Sequence, residues 1–205
     1  MKTNLLRITI FIFTLSLVTM ACKKEEEAKK NSFKYNQKES MIGTVLGLEY
    51  GESGVSGVYG INMEFFEKTF TVHYANSYPD SLSGVGDVLL VTFLTNNESE
   101  IASGVYNFLS SDEQFRAFGI MGDEESFLLV NLDSEDDQTG SEMEITGGKV
   151  TVKKTGQEYE FTFDLKTDLN SNITGYYKGT PIIYSDFKKK SPQPQRWFTQ
   201  KLIEK

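Results

Sequence analysis

Beyond residue 40 the hydrophobic and polar positions of the chain alternate with a period of two, the period of a β-strand with one buried face. No long stretch of this body repeats its apolar residues every 3.6 positions, as a packed helix would. Glycine, asparagine and aspartate, which favour turns, separate the alternating stretches. The pattern predicts an all-β domain of about 10–12 short strands, an antiparallel β-sandwich or flattened β-barrel with a C-terminal meander.

The strands that precede the meander can be bounded from the alternation. Val88–Leu94 and Phe127–Val130 are apolar on both faces, so we expect them to be central strands that are covered on both sides. The predicted strands are Ile42–Tyr50, Val55–Phe65, Thr69–Tyr74, Val88–Thr95, Gly104–Leu109, Phe115–Met121 and Ser126–Leu132.

The turns of the meander predict its register. Gly147-Gly148 fits a two-residue hairpin turn, because glycine accepts the positive φ that such turns require, and Thr155-Gly156 fits the next one. Val150 would then lie opposite Ile145 in the first hairpin and opposite Phe161 in the second. Both turns give the same inward face, made of Met143, Ile145, Val150, Val152, Tyr159, Phe161 and Phe163.

A third hairpin follows around Thr167–Ser171. This loop can place Phe161 opposite Tyr177, so that both rings point inward. Tyr176 must then face outward, because neighbouring residues of a strand point to opposite sides of the sheet.

The first residues of the chain depart from the strand pattern. Lys2 and Arg7 precede an apolar run, Ile8–Met20, and the small residue Ala21 ends it, which is the order of a secretory signal peptide. The run is shorter than the about 20 residues that a membrane-spanning helix needs. We therefore expect residues 1–21 to be a cleaved signal peptide.

Cys22 is the only cysteine, so it has no partner for a disulfide within the chain or for a cysteine-cluster metal site. The stretch Val18-Thr19-Met20-Ala21-Cys22 resembles the lipobox of a bacterial lipoprotein precursor. By that resemblance the Cys22 thiol is acylated and anchors the protein to the membrane. Lys24-Glu25-Glu26-Glu27 resembles the charged tag that moves some lipoproteins to the outer face of the outer membrane, which implies a cell-surface location; a solvated spacer is the alternative.

Charge is distributed unevenly along the chain. Residues 22–40 are rich in lysine, glutamate, asparagine and glutamine, which predicts a flexible tether. The body, residues 41–185, carries 23 acidic and 7 basic residues, a balance that argues against a nucleic-acid partner. Residues 186–205 carry six basic and two acidic residues, and we interpret them as a short helix, a strand or a disordered end. Packing of this basic segment on the acidic body is one alternative.

The sequence contains no recognisable catalytic or metal-binding set. His73 is the single histidine, and no serine lies in a G-x-S-x-G motif that could complete a triad. The acidic stretch Asp133–Glu144 has some of the spacing of a calcium loop, but Gln138 occupies the position that requires glycine. We predict no catalytic residue, no metal site and no cofactor. A hydrolase that uses two of the many carboxylates remains an alternative.

Exposed aromatic side chains are the groups through which a β-protein can bind sugars, since sugar rings stack on aromatic faces. The candidates for ligand contact are Tyr176 on the outer face of the meander, Tyr78 in the loop "NSYPDS" and Trp197 in the C-terminal segment.

Taken as a whole, the body resembles the small all-β lipoproteins of unassigned function at the surface of Gram-negative bacteria. The resemblance rests on the signal, the charged tag, "SGVYNF" and "GGKVTVKKTGQEYEFTFDL" with the following "ITGYYKG". It implies a hairpin architecture and no active residue. Our hypothesis is a lipid-anchored, surface-exposed, non-enzymatic binding module whose partner is a glycan or an outer-membrane protein. A structural or envelope-assembly lipoprotein is the second hypothesis, and the hydrolase is the third.

Overall fold

The structure is a computed structural model that describes residues 28–110, 112–122, 125–136 and 140–185. The signal peptide, Cys22, the charged tag, Trp197 and the rest of the C-terminal segment lie outside the described residues. No helix within these ranges is long and apolar enough to cross a membrane. The strands are β1 (Ser32–Tyr35), β2 (Lys38–Glu52), β3 (Tyr59–Glu67), β4 (Thr71–Ala75), β5 (Tyr78–Ser83), β6 (Val85–Thr95), β7 (Gly104–Leu109), β8 (Gly119–Met121), β9 (Phe127–Asp133), β10 (Ser141–Thr155), β11 (Glu158–Thr167), β12 (Asn172–Gly179) and β13 (Ile182–Tyr184).

The all-β prediction is confirmed, and the large sheet closes on itself. Strand β1 pairs with both β12 and β2, and the pairings continue from β12 through β11, β10, β7, β8, β6 and β3 back to β2. Strand β9 pairs with β10 and β6, and β13 is added to β2. Two pairs, β2 with β13 and β7 with β8, are parallel. Strands β4 and β5 form a separate hairpin.

The interior of this ring is filled with side chains. One cluster of buried apolar residues includes members from every strand of the ring. Phe65 on β3 meets two rings of β11 edge to face, with centroid distances of 4.9 Å to Phe163 and 5.3 Å to Phe161. Because these strands lie on opposite sides of the ring, the barrel is flattened and its walls are in contact. The surface that the described part of the ring offers to a ligand is therefore its outside.

The hairpin turn predicted at Gly147-Gly148 is wrong. Strand β10 continues through these glycines, which pair with Lys166 and Leu165, and a bulge lies just before them, between Ile145 and Gly147, where the pairing partner changes from β9 to β11 and β7. Gly148 has a φ of 100°, and an added Cβ would collide with the Asp164 carbonyl oxygen and lie 2.6 Å from the Leu165 Cα. Turn and bulge both need glycine here, so the dipeptide alone does not distinguish them.

The next turn lies one residue later than predicted, at Gly156-Gln157, with Thr155 paired to Glu158. Val150 is therefore opposite Phe163 instead of Phe161. A shift of two residues leaves each side chain on its original face. The predicted inward face is accordingly confirmed, and all its members are buried: Met143, Ile145, Val150, Val152, Tyr159, Phe161 and Phe163.

Other predictions about the sheet are confirmed. Phe161 lies opposite Tyr177, and Tyr176 is on the outer face, partly exposed. Every residue of Val88–Leu94 is buried, as expected for a central strand, and Gly104–Leu109 has the predicted bounds. Strands β1, β5 and β13 were not predicted.

The predicted tether extends too far into the domain. Strand β1 occupies Ser32–Tyr35, and Phe33 and Tyr35 both belong to the interior cluster. Lys34 lies between them and is exposed, so the strand alternation covers only three residues. The polar residues around this short stretch hid the alternation in the sequence. The sheet therefore begins at Ser32, nine residues before the predicted start of the domain.

A fully buried carboxylate fastens this first hairpin to the ring. Asp87, on β6, accepts hydrogen bonds from the Tyr35 hydroxyl at 2.9 Å and the Ser40 hydroxyl at 2.5 Å. The Lys38 ammonium, 2.8 Å from Oδ1, and the Asn131 amide, at 3.0 Å, complete its coordination. Burial by itself would raise the pKa of the Asp87 carboxyl, but these four donors outweigh it and lower the pKa.

Candidate functional site

A groove of about 450 Å³ lies on the outer face of β1 and β12. Residues 28–30 form one wall ahead of β1, and Thr174–Tyr176 of β12 form the opposite wall. Ser32, Lys34 and Glu39 complete the lining. Three lysines therefore face a single carboxylate in this groove, so it is positively charged on an otherwise acidic protein.

The pairing of β1 with β12 creates the groove, because Ser32 lies directly opposite Tyr176. The Lys29 Nζ is 5.0 Å from the centroid of the Tyr176 ring, a cation–π contact that attaches the chain ahead of β1 to β12. The Lys34 Nζ is 3.4 Å from Glu39 Oε2, and the Ser32 hydroxyl donates to Glu39 Oε1 at 2.8 Å. This hydrogen bond, together with the nearby lysines, lowers the pKa of Glu39 and keeps it ionised.

Tyr176 presents a neutral hydroxyl beside a second, opposite group of charges. Burial raises the pKa of Tyr176, and the neighbouring Glu160 carboxylate raises it further. The Lys178 Nζ lies 3.2 Å from Glu160 Oε1 and 3.1 Å from Glu158 Oε1. Tyr176 thus presents an aromatic face with lysine ammonium groups on one side and carboxylates on the other. Such a surface suits a sugar ring that carries a charged group.

Tyr78 lies elsewhere, and the loop predicted for it is a strand. It is the first residue of β5, paired with Ala75 across a tight turn. Its ring centroid is 5.6 Å from that of Tyr184 on β13, and Tyr74 also lies near Tyr184. We call Tyr74, Tyr78 and Tyr184 the tyrosine patch; Tyr74 is 47% and Tyr78 is 41% exposed. The patch is built on β4, β5 and β13, whereas Tyr176 is on β12, and Trp197 lies outside the described residues.

One close histidine contact was not anticipated. The His73 Nε2 lies 2.7 Å from the Ser83 Oγ across the β4–β5 hairpin. Within the described ranges no carboxylate is hydrogen-bonded to His73, and the histidine is exposed on a two-stranded hairpin. A serine-based triad needs a third group that orients the histidine and a site that excludes water. The contact is therefore explained by pairing within the hairpin.

The acidic stretch that begins at Asp133 forms a turn at its start. The Glu135 amide donates to Asp133 Oδ1 at 3.0 Å, and residues 137–139 lie outside the described residues. Among the described residues no group of three or more histidine, cysteine, aspartate or glutamate side chains is placed to hold a metal ion.

A row of polar side chains is buried on the outer face of the ring. The Asn62 amide donates to Thr92 Oγ1 at 3.0 Å, and the Thr92 hydroxyl donates to the Glu125 carbonyl at 2.7 Å. Burial raises the pKa of Tyr50, and the charges of Glu64 and Glu125 raise it further. Both acids thus lie near Tyr50, but the Glu64 side chain is buried and does not line an open cleft.

Comparison of the chain with protein-family models, with curated proteins and with solved structures finds no match. The groove at Tyr176 therefore has to be judged on its own geometry. The strand alternation predicts that Tyr176 faces outward, whereas the lysines of the groove lie in the segment that was predicted to be a tether. They become site residues only because β1 pairs with a strand about 140 residues away in the sequence.

Proposed function

We propose that the protein is a lipid-anchored, non-enzymatic binding module of the outer membrane surface, and that it binds a negatively charged glycan in the groove at Tyr176. The observation that carries this proposal is the combination of an outward aromatic ring with Lys29, Lys30 and Lys34 on an acidic protein. A sugar ring can stack on Tyr176, and the lysines can pair with its carboxylate, sulfate or phosphate groups.

Lys29 has a specific role in this proposal. Its ammonium lies over the face of Tyr176 that a sugar would occupy. Binding therefore exchanges the cation–π contact for a stacked sugar, and the released ammonium can pair with the acidic group of the same ligand. This exchange favours an acidic glycan over a neutral one, because a neutral sugar replaces the contact without giving the lysine a new partner.

The expected lipid anchor limits where the ligand can be. Lys29 is seven positions after Cys22, and an extended chain covers at most about 3.6 Å per residue. The groove would then lie within roughly 25 Å of the acylated cysteine. This distance favours an acidic polysaccharide of the cell's own envelope as the ligand.

Binding to an array of acidic and neutral glycans tests the proposal. We expect retention on acidic polysaccharides, with Tyr176→Ala raising the Kd about tenfold, equivalent to about 1.4 kcal/mol. Lys34→Gln should weaken binding and reduce its salt dependence. The matched controls are Tyr78→Ala and Lys153→Gln, which change exposed residues outside the groove.

Three results would count against the proposal. Loss of binding in Tyr78→Ala but not in Tyr176→Ala would move the site to the tyrosine patch. Cleavage of a glycan by the purified protein would favour the carboxylate-based hydrolase. A deletion strain with altered envelope integrity, together with no binding on the array, would favour the structural or envelope-assembly role.

A further inference from the structure

A cavity of about 320 Å³ lies at one end of the ring, next to the end of β12. Tyr159 and Gly179 form the last pair that joins β11 to β12. The chain then passes through Thr180 and Pro181 to β13, which pairs with β2 instead. Proline has no backbone N–H to donate to a neighbouring strand. The wall of the ring therefore opens at this point.

The floor of the cavity is apolar. Tyr159 is a buried member of the interior cluster, and Ile183 packs against that cluster. Pro181 adds a third apolar group to the lining. Because the interior beneath is filled, the cavity stays at the end of the ring, and its volume is near the lower limit of the roughly 300–1,000 Å³ that ligand sites occupy. The cavity therefore suits a small molecule with a short apolar group.

A lysine–glutamate ion pair forms the charged rim of the cavity. The Lys154 Nζ is 2.7 Å from Glu100 Oε2 and 5.6 Å from the centroid of the Tyr159 ring. Glu100 lies in the loop between β6 and β7, where the Asn97 side-chain amide donates to Glu100 Oε1 at 3.2 Å. The side chain of Lys154 is 22% exposed and that of Glu100 is 40% exposed. Both charged groups are thus held in place and are still accessible to a ligand.

Both members of the ion pair can bind further groups. An ammonium has three N–H donors, and one of them is enough for the contact of Lys154 with Glu100. A carboxylate has about four acceptor sites, and the contacts of Glu100 with Lys154 and Asn97 use two of them. A ligand can therefore accept from the ammonium and donate to the carboxylate while the ion pair stays intact.

The charges of the rim cancel, in contrast to the lysine-rich groove at Tyr176. A ligand with a single charge is attracted by one member of the ion pair and repelled by the other. A ligand that carries an ammonium and a carboxylate next to each other can pair with both members. An α-amino acid has these two groups on the same carbon atom, so they lie side by side as the groups of Lys154 and Glu100 do.

We propose that this cavity is a second binding site, which takes a free α-amino acid with an apolar side chain. The carboxylate of the ligand binds the Lys154 ammonium, its ammonium binds the Glu100 carboxylate, and its side chain packs on Pro181 and Ile183. The cavity and the groove at Tyr176 share no lining residue, so this site does not depend on the proposed glycan binding.

Isothermal titration calorimetry of the full chain with leucine, 4-methylpentanoate and 3-methylbutylamine tests the proposal. The two analogues keep the apolar group of leucine, but the first lacks the ammonium and the second lacks the carboxylate. We expect leucine to bind more tightly than either analogue by about tenfold or more. Glycine, which has no side chain, should also bind more weakly than leucine.

Two variants assign the charged groups of the ligand to their partners. Glu100→Gln should weaken the binding of leucine but not that of 4-methylpentanoate, because it removes the partner of the ammonium and the charge that repels a carboxylate. Lys154→Gln should weaken the binding of leucine but not that of 3-methylbutylamine, for the converse reason. Arg116→Gln is the matched control, because it breaks an exposed ion pair with Glu113 outside the cavity and should leave the affinity for leucine unchanged.

The comparison of probes on the unmodified protein decides the proposal whether or not a variant folds. Equal affinity for leucine and 4-methylpentanoate would overturn it, and so would the absence of binding by all of the probes. Equal affinity for glycine and leucine would overturn the assignment of Pro181 and Ile183 to the side chain of the ligand. If Arg116→Gln weakened leucine binding as much as Glu100→Gln does, the site would not lie at this cavity.

Discussion

Replacing Asp87 by asparagine should destabilise the protein strongly, because this fully buried carboxylate holds together three parts of the chain. It accepts hydrogen bonds from Tyr35 at the end of β1, from Lys38 and Ser40 on β2, and from Asn131 on β9. Breaking a buried ion pair by removing one partner costs about 3–5 kcal/mol. Because Lys38 is partly exposed and water can solvate its ammonium, we expect the lower end of that range. At about 2–4 °C per kcal/mol for a domain of this length, the Tm should fall by roughly 6–12 °C.

The dependence of this loss on pH identifies the carboxylate as its cause. An aspartate in the unfolded chain has a pKa of about 3.9, and the pKa of Asp87 is lowered in the folded protein. The stabilisation is therefore fully present above the unfolded pKa and is lost as the pH falls through the folded one. Asp87→Asn has no such titration, so the free energies of unfolding of the two proteins should converge as the pH is lowered below about 4.

Urea unfolding followed by circular dichroism from pH 7 downwards measures both effects. Asp164→Asn is the matched control, because Asp164 is exposed on β11 and its replacement should change the free energy of unfolding by less than about 0.5 kcal/mol. If Asp87→Asn were as stable as the control at pH 7, the buried network would not hold the hairpin. If the difference in free energy of unfolding between the unmodified protein and Asp87→Asn stayed constant with pH, the loss of stability could not be due to the charge of the Asp87 carboxylate.

Three further predictions concern the backbone, the N-terminal boundary and a buried phenol. Gly148→Ala should lower the free energy of unfolding by more than about 2 kcal/mol because an added Cβ would collide with the backbone of β11 at Asp164, whereas Gly156→Ala, at a turn with open space, should cost about 1 kcal/mol. Deleting residues 1–31 should leave a cooperative thermal transition, whereas deleting residues 1–37 removes β1 from the ring and should abolish that transition. Burial, reinforced by the charge of Glu100, raises the pKa of Tyr159 to about 12, so absorbance titration should show a phenol that ionises there. The stability that this group contributes should decrease as the pH rises from about 10 towards 12, because the unfolded phenol ionises first.

Each of these three predictions has a result that contradicts it. Equal destabilisation by the two glycine replacements would show that the positive φ, and not the close contact, sets the cost. A cooperative transition in the chain that lacks residues 1–37 would mean that the ring does not need β1. Ionisation of every phenol near pH 10 would show that Tyr159 is accessible to solvent.

The sequence was sufficient to assign the faces of the meander strands, but it assigned only some of their partners correctly, among them Tyr177 opposite Phe161. The faces of the meander followed from alternation, and they survived the shift of the second turn because Val150 and Val152 stay on the same side whichever β11 residue lies opposite. The glycines at 147 and 148 were misassigned for a different reason. Whether they form a turn or a bulge depends on whether the residues before them pair with β9, which is a contact between distant segments.

The same limitation explains why half of the candidate site was missed. The outward direction of Tyr176 is a local property, so alternation predicted it. Lys29 and Lys34 contact or surround that ring only through the pairing of β1 with β12, which joins the two ends of the domain. Strand β1 is too short, and its surroundings too polar, for composition to indicate it. Local patterns therefore found the aromatic half of the groove and not the basic half.

These contacts imply that the stability of the first hairpin is coupled to the glycan binding that we propose for the groove. Asp87 holds the end of β1 through Tyr35, and β1 carries the groove residues Ser32 and Lys34. A hairpin that is loosened from the ring presents these groove residues for only part of the time, which raises the apparent Kd by the inverse of the competent fraction.

Tyr35→Phe tests the coupling more gently than Asp87→Asn, because it removes one hydroxyl that donates to Asp87 and keeps the ring in the interior. It should cost about 1 kcal/mol of stability and weaken binding of the acidic glycan, although Tyr35 does not line the groove. Conversely, ligand at 100 times its Kd should recover about 2.7 kcal/mol in a variant that binds normally once folded. A Tyr35→Phe protein with lowered Tm and unaltered glycan affinity would show that the groove forms independently of the Asp87 network.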